Sequence, residues 1–476
     1  MEYIKHNSTK IVATIGPASS SKKILTELIL AGVDIFRLNF SHGTHQDHQE
    51  VINKILEINK ELNTNIAILA DLQGPKLRIG EVENNGVLLK ENDEIEFTNI
   101  QCIGTNKKVY MSYELFPQDV NVGDIILIDD GKLKLEAIKT NKKDSVIAKV
   151  IYGGILSSKK GVNLPKTKIS LPSLTPKDIK DAEFALSQDV DWLALSFVRS
   201  VVDITDLKDL IKKNHKHTKV IAKIEKPEAL TEIDNIIDIA DGVMVARGDL
   251  GVELPFQEVP LMQKMIVDKC VKYAKPVIIA TQMMESMITN FSPTRAEAND
   301  VANAVIDGAS ALMLSGETSV GKFPVEVINA MRSIISFTEG NGYKHYKEHS
   351  PSVMNNTFIP DSICSTACSM AKQTKASSIV ILTHSGYTAF RIASHRPNAN
   401  IFVFTSNKRL QRQISLLWGV RTFPINDFTF TDEAIEYSIK YLKEKKLVKD
   451  DELVVHVGSM PLNKKGQTNM VELTYL

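Results

Sequence analysis

Short apolar segments of high β-propensity recur through residue 345, and most are followed by a segment with apolar residues at helical spacing. Near-continuous apolar strands that alternate with helices indicate a parallel sheet covered on both faces. Eight such units in about 250 residues are the count and size of a closed (β/α)₈ TIM barrel. An open doubly wound sheet is the structural alternative. The eight segments are 10–16, 35–40, 65–72, 191–197, 219–225, 242–250, 276–282 and 310–316.

Two other stretches follow different patterns. Residues 76–170 contain short β-prone runs, weak helical periodicity and frequent turn signals such as ENNG, NVGD and IDDGK. They predict a small antiparallel β-barrel domain, inserted after the third strand as a lid over the barrel mouth. Residues 346–476 alternate helices and strands again, which predicts a C-terminal α/β open-sheet domain. The predicted fold class is therefore α/β. The chain comprises a barrel formed by residues 1–75 and 171–345, the inserted lid 76–170 and the C-terminal domain 346–476.

The overall charge excludes some classes of partner. Lys+Arg and Asp+Glu balance at 57 each, which gives no electrostatic case for nucleic acid or an anionic membrane. No apolar run approaches the roughly 20 residues of a membrane span, and the start lacks a signal-peptide core. The four cysteines form no CxxC pair, so buried thiols are favoured over metal or disulfide roles. We therefore predict a cytoplasmic protein.

Polar and ionisable residues stand at the ends of the predicted strands, on the face where such barrels carry their active sites. One ionisable residue in a barrel strand is often half of a structural ion pair, because burial without a partner is costly. A set that converges from at least four strands indicates an active site instead. In chain order, the set is Arg37, Asn39, Ser41, His42, Asp71, Ser196, Lys223, Glu225, Arg247, Gly248, Asp249, Thr281, Ser315 and Glu317.

The residue types narrow the chemistry. Glu225 and Asp249 are hard oxygen ligands on neighbouring strands, suited to Mg²⁺ or Mn²⁺. Lys223 lies two residues before Glu225, on the same side of the strand, and Arg37 offers a bidentate fork for phosphate or carboxylate. A metal, a lysine and an arginine around one anion suit phosphoryl transfer. The same set would also stabilise an enolate.

At these residues the sequence resembles the pyruvate kinase family. The matching segments are long, charged and in family order, and the C-terminal domain matches in length and layout. The segments are TKIVATIGPAS (9–19), FRLNFSHGTH (36–45), DLQGPKLRIG (71–80), KKGVNLP (159–165), AKIEKPEA (222–229), MVARGDLGVELP (244–255), ATQMMESM (280–287), PTRAEANDVANAV (293–305) and LSGETSVGKFP (314–324).

The resemblance implies a reaction in which phosphoenolpyruvate and ADP give pyruvate and ATP. Arg37 would contact the phosphoryl group, and Lys223 would stabilise the charge that develops during transfer. A water network near Thr281 and Ser315 would protonate the enolate; direct donation by Thr281 is disfavoured because a hydroxyl is a poor acid. The remaining implied roles are substrate positioning by Gly248, Asp249 and Thr281, metal binding by Glu225 and Asp249, and nucleotide contacts by Asn39, His42, Arg78 and Lys160.

One departure from the family concerns K⁺. Members that need K⁺ place a Thr-Lys pair after the strand-three aspartate and an acidic residue after the Gly-Pro, whereas this chain has Leu72, Gln73 and Lys76. We predict that the Lys76 ammonium replaces the monovalent cation, so that K⁺ is not required. Residual K⁺ binding stays open because part of the family's K⁺ shell is retained, namely Asn39, Ser41, Asp71 and the Leu72 carbonyl.

The C-terminal domain carries the hydroxyl-rich turn THSGYTA (383–389). One interpretation is an ordinary capped helix start. The other, taken from the resemblance, is a phosphate pocket for a phosphorylated allosteric effector, formed by Thr383, Ser385 and Thr388 and closed by the loop 458–468. The resemblance also implies a homotetramer.

Two other functions are alternatives for a chain with this fold. A metal-dependent lyase or aldolase would use the same pyruvate enolate, but would leave Lys160, Asn39 and His42 without a purpose. A non-catalytic metabolite sensor usually lacks the lysine or a metal ligand, and Lys223, Glu225 and Asp249 are all present.

Overall fold

The computed structural model describes residues 7–165, 167–341, 356–426, 428, 430–461 and 468–476, and its largest part is a closed barrel of eight parallel strands. The strands follow one another around the barrel in chain order, and the eighth pairs with the first. The predicted (β/α)₈ barrel is confirmed, and the open-sheet alternative is wrong. Strands one to eight are Lys10–Thr14, Ile35–Asn39, Ala67–Asp71, Trp192–Leu195, Lys219–Ile224, Gly242–Ala246, Val277–Ala280 and Ala311–Leu314.

Helices cover the outside of the barrel through one apolar face each. The helix His45–Leu62 is typical: Thr44 and Asp47 form a capping box at its start, and Ile52, Ile55 and Ile58 are buried against the strands. The helices associated with the barrel are Lys22–Ala31, His45–Leu62, Pro176–Ser187, Val201–Lys213, Pro227–Thr231, Ile233–Ile239, Arg247–Glu253, Val259–Lys272, Arg295–Asp307, Gly316–Ser319 and Pro324–Gly340, with a 3₁₀ turn at Glu285–Ile288.

The barrel interior changes from apolar to charged toward the carboxyl ends of strands two, three and five. Side chains two residues apart share a face of a strand. In strand five the inward series begins with the buried Ile221 and continues with Lys223 and then Glu225 just past the strand end. Leu416, from the C-terminal part of the chain, packs against the apolar interior layer. The charged side chains therefore stand at one end of the interior, above a closed apolar layer.

The inserted segment forms two sheets. Its six-stranded sheet is antiparallel except for one pair, because Glu94–Thr98 runs parallel to Lys108–Tyr110. The predicted purely antiparallel arrangement therefore holds for all pairs but this one. In sheet order, the six strands are Val162–Asn163, Ile125–Ile128, Leu133–Thr140, Ser145–Tyr152, Glu94–Thr98 and Lys108–Tyr110; the second sheet pairs Gly86–Leu89 with Gly154–Ser157, and the helical segments are Glu83–Asn85 (3₁₀) and Phe116–Asp119.

Among the described residues, the C-terminal sheet has five strands, and the last of these runs antiparallel to the others. The edge strand Val420–Pro424 has no counterpart among the predicted elements. Its alternation is irregular and it ends in a proline, which sheets tolerate chiefly at edges. In sheet order, the strands are Val420–Pro424, Asn400–Thr405, Ser378–Leu382, Leu453–Gly458 and Met470–Tyr475; the helices are Phe358–Thr374, Tyr387–Ser394, Lys408–Gln413, Ile414–Leu416 (3₁₀) and Thr431–Glu444. The predicted boundary at 345/346 lies outside the described residues.

The cysteines of the chain are not paired with one another. Cys102, Cys270, Cys364 and Cys368 are all free thiols, and burial raises the pKa of Cys364 to about 12, which makes it a packing group and not a nucleophile. Within the described part of the chain, every helix is too short or too polar to cross a bilayer.

His456 lies in the middle of the C-terminal sheet and is fully buried, and neither of its ring nitrogens has a hydrogen-bond partner among the described residues. Burial lowers the pKa of the imidazole to about 4. In the unfolded chain a histidine titrates near ~6.5. Between these two pH values the unfolded state binds the extra proton, so this group makes folding stability fall as the pH falls.

We therefore expect a His456→Leu variant to lose less thermal stability than the wild-type protein between about pH 7 and pH 5. Thermal unfolding followed by circular dichroism at several pH values measures this. His217→Leu, which removes an exposed ring, is the control and should retain the wild-type pH dependence. Equal acid sensitivity in both variants would contradict the assignment.

Candidate active site

Four charged side chains from strands two, three and five meet inside the barrel mouth. The Arg37 Nε lies 2.7 Å from the Asp71 Oδ2. The Lys223 Nζ lies 3.1 Å from the Asp71 Oδ1 and 2.9 Å from the Glu225 Oε1. Asp71 and Glu225 are each 1% exposed, and the two cations 9%. The structure thus gathers the predicted Arg37, Asp71, Lys223 and Glu225 into one buried network.

The network sets the charge states of its members. Burial works against the Asp71 carboxylate, but Lys223 and Arg37 outweigh it and hold its pKa below the usual value. Burial also works against the Lys223 ammonium, and Asp71 and Glu225 reverse that effect, so that its pKa is raised. Burial, reinforced by the neighbouring Asp249 carboxylate, raises the pKa of Glu225. Lys223 therefore stays an ammonium at neutral pH.

Hydroxyl groups orient the two cations. The Arg37 Nη1 donates to the Thr14 hydroxyl at 3.0 Å, and Lys223 donates to the Ser196 hydroxyl at 2.7 Å. Ser196 in turn donates to the Leu72 carbonyl at 2.7 Å. Thr14 was not among the predicted site residues, although it ends strand one on the same interior face as Val12, and that alternation was the available signal.

Glu225 is held by a backbone group that no sequence pattern indicated. The Phe197 N–H donates to the Glu225 Oε2 at 2.8 Å, and Phe197 adopts a left-handed φ of 55°. Gly74, at φ 70°, lies so close that a Cβ there would stand 2.7 Å from the Phe197 ring. A glycine is therefore required at this close approach.

The sixth strand ends at Ala246, earlier than the predicted 250, because Arg247–Glu253 forms a short helix. The helix lets the Gly248 N–H donate to the Thr281 hydroxyl at 2.7 Å, and Thr281 donates to the Ala280 carbonyl at 2.6 Å. Asp249 lies in the first turn of the same helix. Gly248 and Thr281, which the sequence analysis expects to position the substrate, are therefore in direct contact.

The carboxylates of Glu225 and Asp249 fit a divalent metal. Asp249 disfavours a second negative charge on Glu225, and a bound cation would remove this repulsion. Among the described residues, no group of three or more His, Cys, Asp or Glu side chains could hold a metal. Two carboxylates suit Mg²⁺, which retains waters and takes further oxygen ligands from phosphates.

A narrow cleft lies between the lid and the barrel mouth. Lys76 is exposed and lines it, as do Asp130 from the lid and Asp249 from the barrel. The predicted nucleotide residues Arg78 and Lys160 lie on paired lid backbone, where the Ile79 N–H donates to the Lys160 carbonyl at 3.0 Å. The remaining lining residues are Pro75, Leu77, Gly161, Val162, Asn163, Ile169, Phe197, Arg199 and Lys226.

Three of the four predicted nucleotide-binding side chains, those of Lys160, Arg78 and Asn39, have partners within the protein. The Lys160 Nζ lies 2.9 Å from Asp129, and the Arg78 Nη1 donates to the Lys159 carbonyl at 2.9 Å. The Asn39 side chain accepts from the Ser41 N–H at 3.1 Å. His42 is exposed next to it. Ser315 directly follows strand eight, and its N–H donates to the buried Glu317 at 2.7 Å.

The hydroxyls of the C-terminal turn make local contacts. Thr383 accepts from the Gly386 N–H at 3.0 Å, and Ser385 accepts from the Tyr387 N–H at 3.4 Å. The Thr388 and Thr468 hydroxyls lie 2.7 Å apart. Most of the loop 458–468, which was expected to close this turn, lies outside the described residues.

Comparisons with known proteins match this geometry. The family model "Pyruvate kinase, barrel domain" matches residues 6–328 and "Pyruvate kinase, alpha/beta domain" matches 361–474. The chain belongs to the pyruvate kinase family. It is 42% identical to the pyruvate kinase of Geobacillus stearothermophilus, over 98% of this chain and 80% of that one, and 42% identical to that of Corynebacterium glutamicum, over 98% and 97%.

A solved structure of a family member has the same fold. The crystal structure of a pyruvate kinase from Cryptosporidium parvum superposes with a TM-score of 0.93 at 32% identity, over 98% of this chain and 96% of that one. The chain is a phosphotransferase that converts phosphoenolpyruvate and ADP to pyruvate and ATP. Pyruvate kinases generally use a divalent metal.

Asp71 neutralises two buried cations, so removing its charge leaves both without a partner. We expect Asp71→Asn to lower the free energy of unfolding by about 3–5 kcal/mol, because an uncompensated buried charge is costly. Urea unfolding measures this. Asp234→Asn, which breaks the half-exposed pair with Lys269, is the control and should cost less than about 1 kcal/mol. Similar losses in the two variants would contradict this interpretation.

Proposed function

We propose that the network of Arg37, Asp71, Lys223 and Glu225 performs the phosphoryl transfer of the pyruvate kinase reaction. In this step the bond between phosphorus and the enol oxygen breaks, and a bond from phosphorus to an ADP oxygen forms. Arg37 binds the phosphoryl oxygens through its guanidinium fork, and Lys223 stabilises the charge on the enol oxygen. The observation that carries this proposal is the position of two buried cations, fixed by Asp71, at the barrel mouth.

We further propose Mg²⁺, or Mn²⁺ in its place, as the metal, held by Glu225 and Asp249. When bound, the ion neutralises negative charge on the substrate and the phosphoryl group. The Phe197 N–H orients one Glu225 oxygen, and the short helix carries Asp249. Lys223 contacts the other Glu225 oxygen, so the ammonium would lie beside the metal. Gly248, Asp249 and Thr281 position the carboxylate end of the substrate.

The enolate left after transfer must take a proton at carbon. The Thr281 hydroxyl hydrogen is committed to the Ala280 carbonyl, which supports proton delivery by water and not by Thr281 itself. We propose that the free lone pair of Thr281 and the hydroxyl of Ser315 order that water. Such positioning is worth several kcal/mol of the barrier, typically ~7–11 kcal/mol for a fully oriented reactant pair.

The nucleotide would bind under the lid, which we assign to residues 76–170 between the barrel segments 1–75 and 171–345. Arg78 and Lys160 would contact ADP from the lid, and Asn39 and His42 from the barrel. The Lys160–Asp129 pair is only partly buried, so an ADP phosphate can replace Asp129 as partner at little cost.

The K⁺ proposal rests on Lys76. Its ammonium lines the cleft that Asp249 also lines, so it supplies a positive charge there without a bound monovalent cation. Two groups of the predicted K⁺ shell already have partners within the protein. Asp71 pairs with Arg37, and the Leu72 carbonyl accepts a hydrogen bond from the Ser196 hydroxyl. We therefore propose that activity does not require K⁺.

Replacing Lys76 tests this directly. In wild-type protein, pyruvate formation should be nearly the same with K⁺ and with a tetramethylammonium salt. In Lys76→Glu, the lost charge should make turnover depend on K⁺, as measured by titrating K⁺ at constant ionic strength. Strong K⁺ activation of the wild type that persists unchanged in Lys76→Glu would refute the proposal.

Three proposals concern the protein outside its active site. Its C-terminal turn would bind the phosphate of an effector through Thr383, Ser385 and Thr388, after their present contacts open. The chain would assemble as a homotetramer, as the family resemblance implies. Its free cysteines suit a reducing compartment, and we propose the cytoplasm.

The proposed role of Lys223 predicts that Lys223→Met lowers kcat by about 10²–10³ or more, because the charge opposite the enol oxygen is lost. The assay is pyruvate formation from phosphoenolpyruvate and ADP with Mg²⁺. Lys219→Met, at the opposite end of the same strand, is the control and should retain turnover. No turnover in the wild type under any divalent metal would refute the function, and nucleotide binding would then separate a sensor from a lyase.

A further inference from the structure

We propose that Arg247, tied to Asp300, is a positioning residue that holds a strained turn after strand seven and thereby the Thr281 hydroxyl. The inference deepens the function proposed above and rests on the role given there to Thr281. Neither Arg247 nor Asp300 is itself placed against the substrate. Their contribution is to the geometry of the group that is.

Strain is evident in the backbone after strand seven. Thr281 has a φ of 69° and Gln282 a φ of 54°. A left-handed φ is uncommon outside glycine, and for a β-branched residue such as threonine it is an outlier. Two such residues in succession are strained, and they persist only where surrounding contacts hold them. The turn therefore needs an external restraint.

Arg247 supplies that restraint. Its Nη2 donates to the Thr281 carbonyl at 2.8 Å and lies 3.3 Å from the Gln282 carbonyl. One guanidinium nitrogen thus holds the carbonyl groups of both strained residues. The Nη1 donates to the Asp300 carboxylate at 2.8 Å, which fixes the plane of the fork and neutralises its charge. The Arg247 side chain is 12% exposed, so water competes only weakly.

The same segment also holds the hydroxyl. Gly248, the residue after Arg247, donates its N–H to the Thr281 Oγ1 at 2.7 Å. The Arg247 side chain therefore binds the backbone carbonyl of Thr281, and the Gly248 N–H binds its hydroxyl group. A shift of this turn would move Thr281 away from the water that it orders. It would also disturb Asp249, which directly follows Gly248 in the chain.

Asp300 links the turn to the outer layer of the barrel. It lies in the helix Arg295–Asp307, which buries Val301, Ala304 and Val305 in the apolar core around the barrel. Lysine is a poor substitute for Arg247, because a single ammonium cannot present a planar fork to a carboxylate and two carbonyls at once. The pair is thus a rigid connection from a packed helix to a strained catalytic turn.

Three variants test the proposal: Arg247→Gln, Arg247→Lys and Asp300→Asn. We expect Arg247→Gln to lower kcat by about 10- to 100-fold, because small displacements of a positioned group carry losses of this order. The KM values for phosphoenolpyruvate and ADP should not rise in proportion. Arg247→Lys should recover part of the loss, and the losses from Arg247→Gln and Asp300→Asn should not add in the double variant.

A second measurement isolates the proton step. Exchange of the methyl hydrogens of pyruvate with D₂O, with Mg²⁺ present and followed by proton NMR, should slow in Arg247→Gln at least as much as kcat. Lys264→Gln is the control. It breaks the contact of Lys264 with Asp307, which lies on the same helix as Asp300, and should leave both rates unchanged.

The possible outcomes distinguish the proposed function from the positioning role of Arg247. Wild-type protein without pyruvate formation refutes the proposed function itself. Active wild type with unchanged kcat and exchange in Arg247→Gln overturns the positioning role, as does a rise in KM alone. If Arg247→Gln fails to fold by circular dichroism, Arg247→Lys and Asp300→Asn carry the same test, and unchanged kcat and exchange in both overturns the inference.

Discussion

The buried carboxylate of Asp71 is the contact on which the active site depends. Two cations inside a barrel repel each other and lose their hydration, and neither is tolerated there without a counter-charge. Asp71 contacts both, so Arg37 and Lys223 are held charged and close together. The substrate thus meets cations whose desolvation has already been compensated during folding, which is what electrostatic preorganisation requires.

The barrel separates stability from chemistry along its axis. The strands together line the lower interior with apolar side chains, and strands two, three and five place charged ones at the mouth, because alternate residues share the inward face. The lower layer is completed by Leu416, and the Trp192 indole donates to the Gln413 carbonyl at 3.1 Å. The C-terminal domain therefore packs against the apolar layer, and the charged network stays at the opposite end.

The amino-acid sequence predicts much of this architecture. Eight apolar segments of the right length and spacing predicted the closed barrel, because parallel strands buried on both faces have a distinctive composition. The errors fell where local signals conflict with tertiary context. The segment 242–250 is apolar enough for a strand, yet it becomes helical after Ala246. The edge strand Val420–Pro424 has no clear alternation and was missed.

The sequence by itself determined the barrel and the charged end of its strands, since side-chain type and strand period place Arg37, Lys223 and Glu225 on one interior face. Only the tertiary structure decided how those groups are held. The Phe197 N–H on Glu225 and the left-handed turn at Thr281 leave no trace in the sequence. The reason is physical: backbone donors and acceptors are common to nearly every residue, and only the folded chain selects which of them meet.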